Sequence, residues 1–381
     1  MIEKLNTLET GLRGIPVGYC PTSYVDPEKG LFYGEYPIRE VAFWEPEEVL
    51  YLLIHGERGS QTEVKEFSAQ LKKEEVLSKE SIRAIEGLPK QGDPMKLFSA
   101  ALLLLGTLEG KGDYRADCIA LIAKIPHLTA ILINHHGGFG RTPSPDKNLS
   151  YMDNFVHMLR IPNTDSERLR KILTLYNILH YDHGGGNLST FVGKAVASGL
   201  EDLFGSIAAA MSALAGPRHG KANQESLHFV KQAFDACKGD GNEENIEAFL
   251  REKIFNKELI FGFGHAVLRV EDPRATVQYE LAEKLYPDHP LVKIALLLRK
   301  VGPRVLKENP KISNPYPNVD AISGTLLTAA GFTQNVYYTP LFGLSRSCGI
   351  AIQIVYERCY AREGRGTPIV RPKYIYKPYK R

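Results

Sequence analysis

Apolar side chains recur at helical spacing along most of this chain. In the predicted helices the apolar positions lie three or four residues apart, as on one face of an α-helix. Glycine and proline interrupt the pattern at residues 45–46, 92–94, 215–217 and 286–288. The pattern predicts an all-α fold. The predicted helices cover residues 47–55, 97–109, 116–125, 167–180, 189–214, 222–237, 244–255, 274–285, 291–308 and 341–360.

One region near the N-terminus departs from the helical pattern. Ser23-Tyr24-Val25 and Leu31-Phe32-Tyr33 are short runs rich in aromatic and branched side chains. Between them lies Asp26-Pro27-Glu28-Lys29-Gly30, whose proline and glycine are typical of a turn. These features predict a short N-terminal β-hairpin on an otherwise helical protein.

The amino-acid composition indicates what kind of molecule the protein is expected to bind. The chain has 381 residues, of which 43% are hydrophobic and 24% charged, so it can bury a large core as one large domain or two unequal ones. The net charge is only +3, from 47 basic and 44 acidic residues, so no global field favours nucleic acid. A small metabolite is the expected ligand, and no nucleic-acid partner is expected.

The cysteines and the N-terminal sequence indicate in which cellular compartment the protein is expected. Five cysteines are scattered without a C-x-x-C pair, which favours reduced thiols. Residues 1–10 are mixed polar, and the longest apolar run we identify, residues 100–106, is far shorter than the ~20 residues of a membrane span. We therefore expect a cytoplasmic protein with no membrane association.

The most informative stretch for chemistry is Gly262-Phe263-Gly264-His265, followed by Arg269 and Asp272-Pro273-Arg274. Glycine allows a ligand to approach the backbone, and guanidinium groups bind anions. A histidine in this setting is a candidate for proton transfer. The stretch predicts an anion site with an acid or base beside it.

Two further segments place histidines beside glycines. His180 and His183 are spaced as on one helical turn and are followed by a glycine run. His219 lies between two predicted helices, after Gly216-Pro217. A position at the N-terminus of the second helix would keep its imidazole neutral, because the helix dipole disfavours a positive charge there. A neutral imidazole can donate a hydrogen bond to an oxygen that gains negative charge.

Asp320 and Arg346 complete the candidate chemistry. Asp320 follows Asn318-Val319 and leads into an apolar segment, where a carboxylate could act as a general base. Arg346 lies on a mostly apolar predicted helix, so it must reach solvent or meet an anion. Structural alternatives stay open: Asp320 as a helix N-cap, His183 as a core histidine and Arg346 as an ion-pair partner.

Taken together, these segments resemble the citrate synthase family. Gly-Pro-x-His-Gly-x-Ala-Asn occupies residues 216–223, Gly-x-Gly-His-x-Val-x-Arg-x-x-Asp-Pro-Arg occupies residues 262–274, and Asn-Val-Asp occupies residues 318–320. The resemblance runs from residues 11–14 to residues 371–373. It implies a large, dimer-forming helical domain of residues 1–219 and 325–381 and a smaller mobile helical domain of residues 220–324 that closes over the active site.

The resemblance also implies a reaction and its residues. The expected reaction is a Claisen-type condensation of acetyl-CoA with oxaloacetate, then hydrolysis of the citryl thioester to citrate and CoA. No metal and no cofactor beyond the CoA substrate are expected. By resemblance, Asp320 is the base, His219 stabilises the enol or enolate oxygen and His265 protonates the ketone oxygen. The remaining site residues implied are His183, Arg274, Arg346 and Arg371 for oxaloacetate, with Arg371 supplied by the partner of a homodimer, and Arg13, Arg269, Phe261, Gly262, Phe263 and Gly264 for CoA.

Alternative functions are open at the level of sequence. A 2-methylcitrate synthase using propionyl-CoA would carry the same catalytic residues, and Gly184 and Ile322 depart from residues common in the family. A metal-dependent hydrolase is suggested by His135-His136 and by His180, Asp182 and His183. A catalytically silent homologue acting as a binding module is the third alternative.

Overall fold

The computed structural model describes residues 10–239 and 241–379, and these are mainly helical. The predicted all-α fold class is confirmed. Within the described residues the strands are β1 (Ser23–Asp26), β2 (Gly30–Tyr33) and β3 (Tyr36–Pro37), and the α-helices are α1 (Ile38–Val41), α2 (Pro46–His55), α3 (Gln61–Glu74), α4 (Lys79–Glu86), α5 (Pro94–Glu109), α6 (Tyr114–Gly137), α7 (Tyr151–Met158), α8 (Ser166–His180), α9 (Leu188–Ala197), α10 (Leu203–Leu214), α11 (Ala222–Ala236), α12 (Glu243–Phe255), α13 (Pro273–Leu285), α14 (Pro290–Leu306), α15 (Asp320–Ala329) and α16 (Tyr338–Val355).

The predicted hairpin is present and carries an additional short strand. β1 pairs antiparallel with β2, and β2 pairs with β3. The Asp26 carboxylate closes the first turn by accepting from the backbone N–H groups of Glu28 and Lys29, each at 2.8 Å. Gly30 has φ +98° and lies so close to the Pro273 ring that a side chain would collide with it. The hairpin turn therefore packs directly against the start of α13.

The longest helix, α6, is a core helix that the sequence predicted only in part. The expected end at residue 125 is wrong, because α6 continues through Pro126 to Gly137. Within the described residues it alone is long and apolar enough to cross a membrane, with a mean hydropathy of 1.7 over its most apolar window. Of that window, 89% is buried by the rest of the protein. Burial in the protein core therefore accounts for its composition.

The predicted single helix over residues 189–214 is wrong, because the chain breaks between α9 and α10. Leu200 adopts φ +68°, which no helix accommodates, and Asp202 caps α10 by accepting from the Gly205 N–H at 2.8 Å. The break lets the two helices pack side by side, with Gly193 in close contact with Ala210. Polar helices α3 and α4 were also missed, although Ser60 and Ser78 cap them.

The candidate site residues lie on a few helices and on the segments that connect them. Asp320 begins α15, Arg274 lies in the first turn of α13, and Arg346 lies within α16, which is buried along most of its length. His183, His219 and His265 lie in the connections after α8, α10 and α12. Connections that follow helices can turn a side chain inward while the helices supply a rigid frame.

Candidate active site

The glycine loop predicted to bind anions is fastened to the segment that precedes Asp320. Gly264 N–H donates to the Tyr316 carbonyl at 3.0 Å, and Asn318 N–H donates to the Gly262 carbonyl at 2.9 Å. Both glycines have a positive φ, +80° and +85°, and a side chain on Gly262 would collide with the first turn of α15. The loop and the start of α15 therefore form one unit.

Asp320 is the first residue of α15, and its carboxylate does not cap the helix. The N-cap position is Val319, without a side-chain cap, so the N-cap alternative is wrong. The Asp320 side chain is half-buried, and burial raises its pKa to about 6, against the opposing effect of Arg274. A carboxylate with this pKa is ionised at neutral pH and is a stronger base than an ordinary aspartate.

His219 lies in the turn of residues 216–221, and α11 begins only at Ala222. The imidazole is neutral at neutral pH, as expected, and the causes that the structure shows are burial, followed by the charge of Arg346, which lower its pKa to about 4. Its Nε2 lies 3.3 Å from the Ser189 backbone N and 2.9 Å from Ser189 Oγ. A backbone N–H can only donate, so Nε2 accepts and the ring proton is assigned to Nδ1, available for a substrate oxygen.

His265 has the opposite tautomer. Its Nδ1 accepts from the backbone N–H groups of Val267 at 3.0 Å and Leu268 at 2.9 Å, which assigns the ring proton to Nε2. Burial, followed by the charge of Arg274, lowers its pKa to about 4. The ring centre lies 5.2 Å from that of His183. The two rings are therefore direct neighbours, packed edge to face.

The His183 side chain is half-buried, and its Nε2 is a buried atom that has no hydrogen-bond partner in the described residues. Burial, followed by the charge of Arg274, lowers its pKa well below the usual value. Its expected position on one helical face with His180 is wrong, because α8 ends at His180 and His183 lies in the following connection. A buried ring nitrogen without a partner is suited to a ligand.

The two buried arginines differ in their partners. Arg274 forms a fork with Asp272, whose oxygens accept from Nε at 3.0 Å and from a terminal nitrogen at 2.7 Å. Arg346 donates from Nε to the His180 carbonyl at 3.0 Å and lies over the Phe342 ring, and no salt bridge to it occurs among the described residues. The ion-pair alternative for Arg346 is therefore wrong, whereas Arg274 does form an ion pair, with Asp272. A buried guanidinium without a carboxylate favours an anionic ligand.

The residues predicted for CoA differ in exposure: Arg13 and Arg269 are exposed, whereas residues 261–264 of the glycine loop are buried or half-buried. Arg269 is exposed and donates to the carbonyls of Val267 and Leu268 at 2.9 Å and 2.8 Å. The Phe263 ring packs against Gly302, so the loop presents its backbone rather than that ring. Arg13 is exposed in a turn near the first described residue. Their CoA roles stay predictions.

Arg371 lies in the extended segment that follows Thr367. It is exposed and makes no hydrogen bond or salt bridge to the described residues of its own chain. The neighbouring Val370 N–H donates to Ser198 Oγ at 2.9 Å. Among the described residues, no hydrogen bond or salt bridge connects Arg371 to the histidines, and its role in oxaloacetate binding stays a prediction.

Three of the four histidines of the metal-hydrolase alternative, all except His183, are engaged in structural contacts. His135 Nε2 bonds the Leu88 carbonyl at 2.8 Å, His136 Nδ1 bonds Tyr337 OH at 2.9 Å, and His180 Nδ1 bonds the Tyr176 carbonyl at 2.7 Å. Over residues 10–239 and 241–379, no group of three or more His, Cys, Asp and Glu side chains is placed to hold a metal ion. This arrangement gives the hydrolase alternative no support.

Fold and site together define a class of enzyme. The site combines a carboxylate with a raised pKa, Asp320, with two neutral imidazoles that can each donate a hydrogen bond, His219 and His265. Two buried arginines lie in the same region. This combination suits the abstraction of a proton beside an anionic substrate. The sequence model of a family described as "Citrate synthase, C-terminal domain" matches residues 11–373. The chain belongs to the citrate synthase family, whose members are acyltransferases.

Relatives and solved structures agree with this assignment. The chain is 36% identical to citrate synthase 4, mitochondrial, of Arabidopsis thaliana, over 96% of this chain and 80% of the relative. It is 34% identical to the mitochondrial citrate synthase of Saccharomyces cerevisiae, over 95% and 79%. A ternary complex of carboxymethyl coenzyme A and oxaloacetate with citrate synthase from Thermoplasma acidophilum has a TM-score of 0.84 at 26% identity, over 98% of this chain and 97% of that one. Citrate synthase from Thermotoga maritima has a TM-score of 0.82 at 26% identity, over 98% and 96%.

Proposed function

We propose that this chain condenses acetyl-CoA with oxaloacetate and hydrolyses the resulting thioester to citrate and CoA. The observation that carries the proposal is the combination of a basic Asp320, donor imidazoles at His219 and His265 and a buried, unpaired Arg346. The names of the relatives support the reaction, and a structure of one homologue is named for a CoA analogue and oxaloacetate. CoA enters as a substrate, and the reaction needs no further cofactor.

The first step forms the carbon nucleophile. Asp320 takes a proton from the methyl carbon of acetyl-CoA, and the electron pair of that C–H bond moves toward the thioester carbonyl. The Nδ1–H of His219 donates to the carbonyl oxygen, which gains negative charge. A carbon acid this weak is ionised only where a fixed donor stabilises its oxygen.

The second step joins the two substrates. The nucleophilic carbon attacks the ketone carbon of oxaloacetate, and His265 gives the Nε2 proton to the ketone oxygen, which becomes the hydroxyl of citryl-CoA. His183, Arg274 and Arg346 hold the carboxylates, because planar guanidinium groups match carboxylate oxygens. Water then adds to the thioester carbonyl carbon and the C–S bond breaks. One proton of the water goes to the sulfur of CoA and the other restores His265, while Asp320 releases its proton to solvent and citrate leaves with a third carboxylate.

A panel of acyl-CoA substrates with oxaloacetate tests the reaction. We expect kcat/KM for acetyl-CoA to exceed that for propionyl-CoA by about tenfold or more, since one extra methylene in a shaped pocket changes rates by roughly 10 to 200-fold. A thiol reagent that detects free CoA provides the measurement. A reversed preference would establish 2-methylcitrate synthesis, and folded protein without turnover on any acyl-CoA would indicate a silent homologue.

We also propose a homodimer in which Arg371 of one chain completes the oxaloacetate site of the other. Arg371 has no partner among the described residues of its own chain. The described segment after it, residues 372–379, exposes apolar and aromatic side chains between lysines, with Tyr374 at 86%, Ile375 at 75% and Tyr376 at 80% accessibility. Exposed apolar side chains in an extended segment favour packing on another chain.

Mixing two inactive variants tests this shared site. Neither Arg371→Ala nor Asp320→Asn is expected to be active alone, but a heterodimer would contain one site with both wild-type residues. Random association should therefore restore about a quarter of wild-type activity, because half the dimers are mixed and each has one intact site of two. Co-expression with two different affinity tags isolates the mixed dimer. Activity no higher than that of the parents would contradict a site shared between chains.

We further propose that residues 220–324 form a mobile domain and that the protein works in the cytoplasm. The segment carries His265 and Arg274, so its movement would assemble the site and exclude water until the carbon bond has formed. The cysteines in the described part of the chain are free thiols, which supports a reducing compartment.

A further inference from the structure

Asp182 is a buried carboxylate that the proposed chemistry does not use. Its side chain is fully inaccessible, and its two oxygens accept hydrogen bonds from four residues. Ser23 Oγ donates at 2.9 Å, Gln353 Nε2 donates at 2.8 Å and 3.0 Å, and the His183 backbone N–H donates at 2.9 Å. The Thr22 hydroxyl donates as well. So many donors on one side chain indicate a position that the fold holds firmly.

The donors come from three separate parts of the chain and surround the backbone of His183. Ser23 Oγ also accepts from the Gly184 N–H at 2.8 Å, and Gln353 Nε2 lies 3.3 Å from the Gly184 carbonyl. Gly184 has φ +69°, which turns the chain directly after His183. The residues on both sides of His183 are therefore fixed to the hairpin and to α16.

Asp182 has no salt bridge within the described residues, although two buried arginines lie in the same region. Its charge opposes the lowering of the Arg346 pKa, so the carboxylate and that guanidinium interact without direct contact. A buried carboxylate is costly unless its hydrogen bonds are satisfied, and here neutral hydroxyl, amide and backbone donors satisfy it. The arrangement leaves the Arg346 guanidinium unneutralised for a ligand.

We propose that Asp182 is a positioning residue for oxaloacetate binding: it fixes the turn of residues 182–184 so that His183 directs its unpartnered Nε2 into the site. The proposal rests on the proposed function. A carboxylate is required at this position because every neighbouring group donates a hydrogen bond to it. In an asparagine side chain the amide N–H groups would face these donors, and no hydrogen bond could form there. The distance between the His183 and His265 rings, 5.2 Å, is the geometry that would be lost.

Asp182→Asn tests the role with two measurements. Calorimetry with oxaloacetate alone should show a Kd raised by about 10 to 100-fold, the usual effect of removing an outer partner that orients a binding side chain. The KM for oxaloacetate should rise similarly, while the KM for acetyl-CoA stays within about twofold, because the proposed CoA residues are untouched. Thr22→Val and Ser23→Ala, which each remove one donor, should raise the Kd by smaller factors.

Asp117→Asn is the matched control. Asp117 is also a buried aspartate, but it accepts from the backbone N–H groups of Lys111 and Gly112, at 2.7 Å and 3.1 Å, before α6. It should lower the Tm without changing oxaloacetate affinity. An unchanged Kd in Asp182→Asn, or equal losses for both substrates, would overturn the positioning role alone. Wild-type protein that binds no oxaloacetate would overturn the proposed function as well.

Discussion

Replacing Asp320 with asparagine should lower kcat by about a thousandfold, within the range that a positioned general base contributes. Asparagine keeps the size of the side chain but cannot accept the methyl proton. Oxaloacetate should still bind, because His183, Arg274 and Arg346 are unchanged. A variant with normal oxaloacetate affinity and almost no turnover would separate the base from the binding groups.

Proton exchange gives the sharper measurement of the same variant. Wild-type enzyme should exchange the methyl protons of acetyl-CoA with deuterium from solvent, and Asp320→Asn should not. The wild-type kcat/KM for acetyl-CoA should also fall as the pH drops below about 6, since the pKa of Asp320 in the free protein is about 6 and only the ionised form can act as a base. Asp288→Asn is the control, because this side chain is 93% exposed. Near-normal exchange in Asp320→Asn would make the assignment of the base wrong.

The fold was predictable where local pattern decided the structure. Helical spacing gave the helix class, and proline and glycine marked most helix ends. Spacing did not reveal the positive φ of Leu200 or the passage of α6 through Pro126, because packing around both places decides them. In polar helices such as α3 the apolar face is too narrow to be recognised from the spacing of apolar residues. Ser60 nevertheless marks the start of α3, because it forms a capping box.

The types of catalytic residue were visible in the motifs, but their chemical states were not. The tautomer of His219 depends on Ser189, which is thirty positions away in sequence. The environment of Asp182 depends on Thr22 and Gln353, at opposite ends of the chain. Such contacts follow from tertiary packing, and no local spacing indicates them.

One physical condition, burial, dominates the charge states of Asp320, His219 and His265. Burial disfavours charge, so it lowers the pKa values of His219 and His265 and raises that of Asp320. The arginines add positive potential, which lowers the pKa values of the imidazoles further and partly opposes the rise at Asp320. The result is an ionised base beside neutral imidazoles at neutral pH, which is the combination that enolisation requires.

Replacing His219 with alanine should lower kcat by about 100 to 1,000-fold, the usual loss when a donor to a developing oxyanion is removed. Exchange of the methyl protons should fall with kcat, because this donor acts in the step that breaks the C–H bond. The KM for oxaloacetate should change little. Ser189→Ala is the matched control, since it removes the hydroxyl but keeps the backbone N–H that accounts for the tautomer.

The position of the donor nitrogen can be tested with two amides. The amide nitrogen of asparagine can occupy nearly the place of an imidazole Nδ1, whereas that of glutamine reaches closer to Nε2. Because the contact with Ser189 places the proton of His219 on Nδ1, His219→Asn should retain more proton exchange than His219→Gln. The reverse order would mean that Nε2 faces the substrate, and the hydrogen bond to the Ser189 backbone would then have to break before the methyl carbon is ionised.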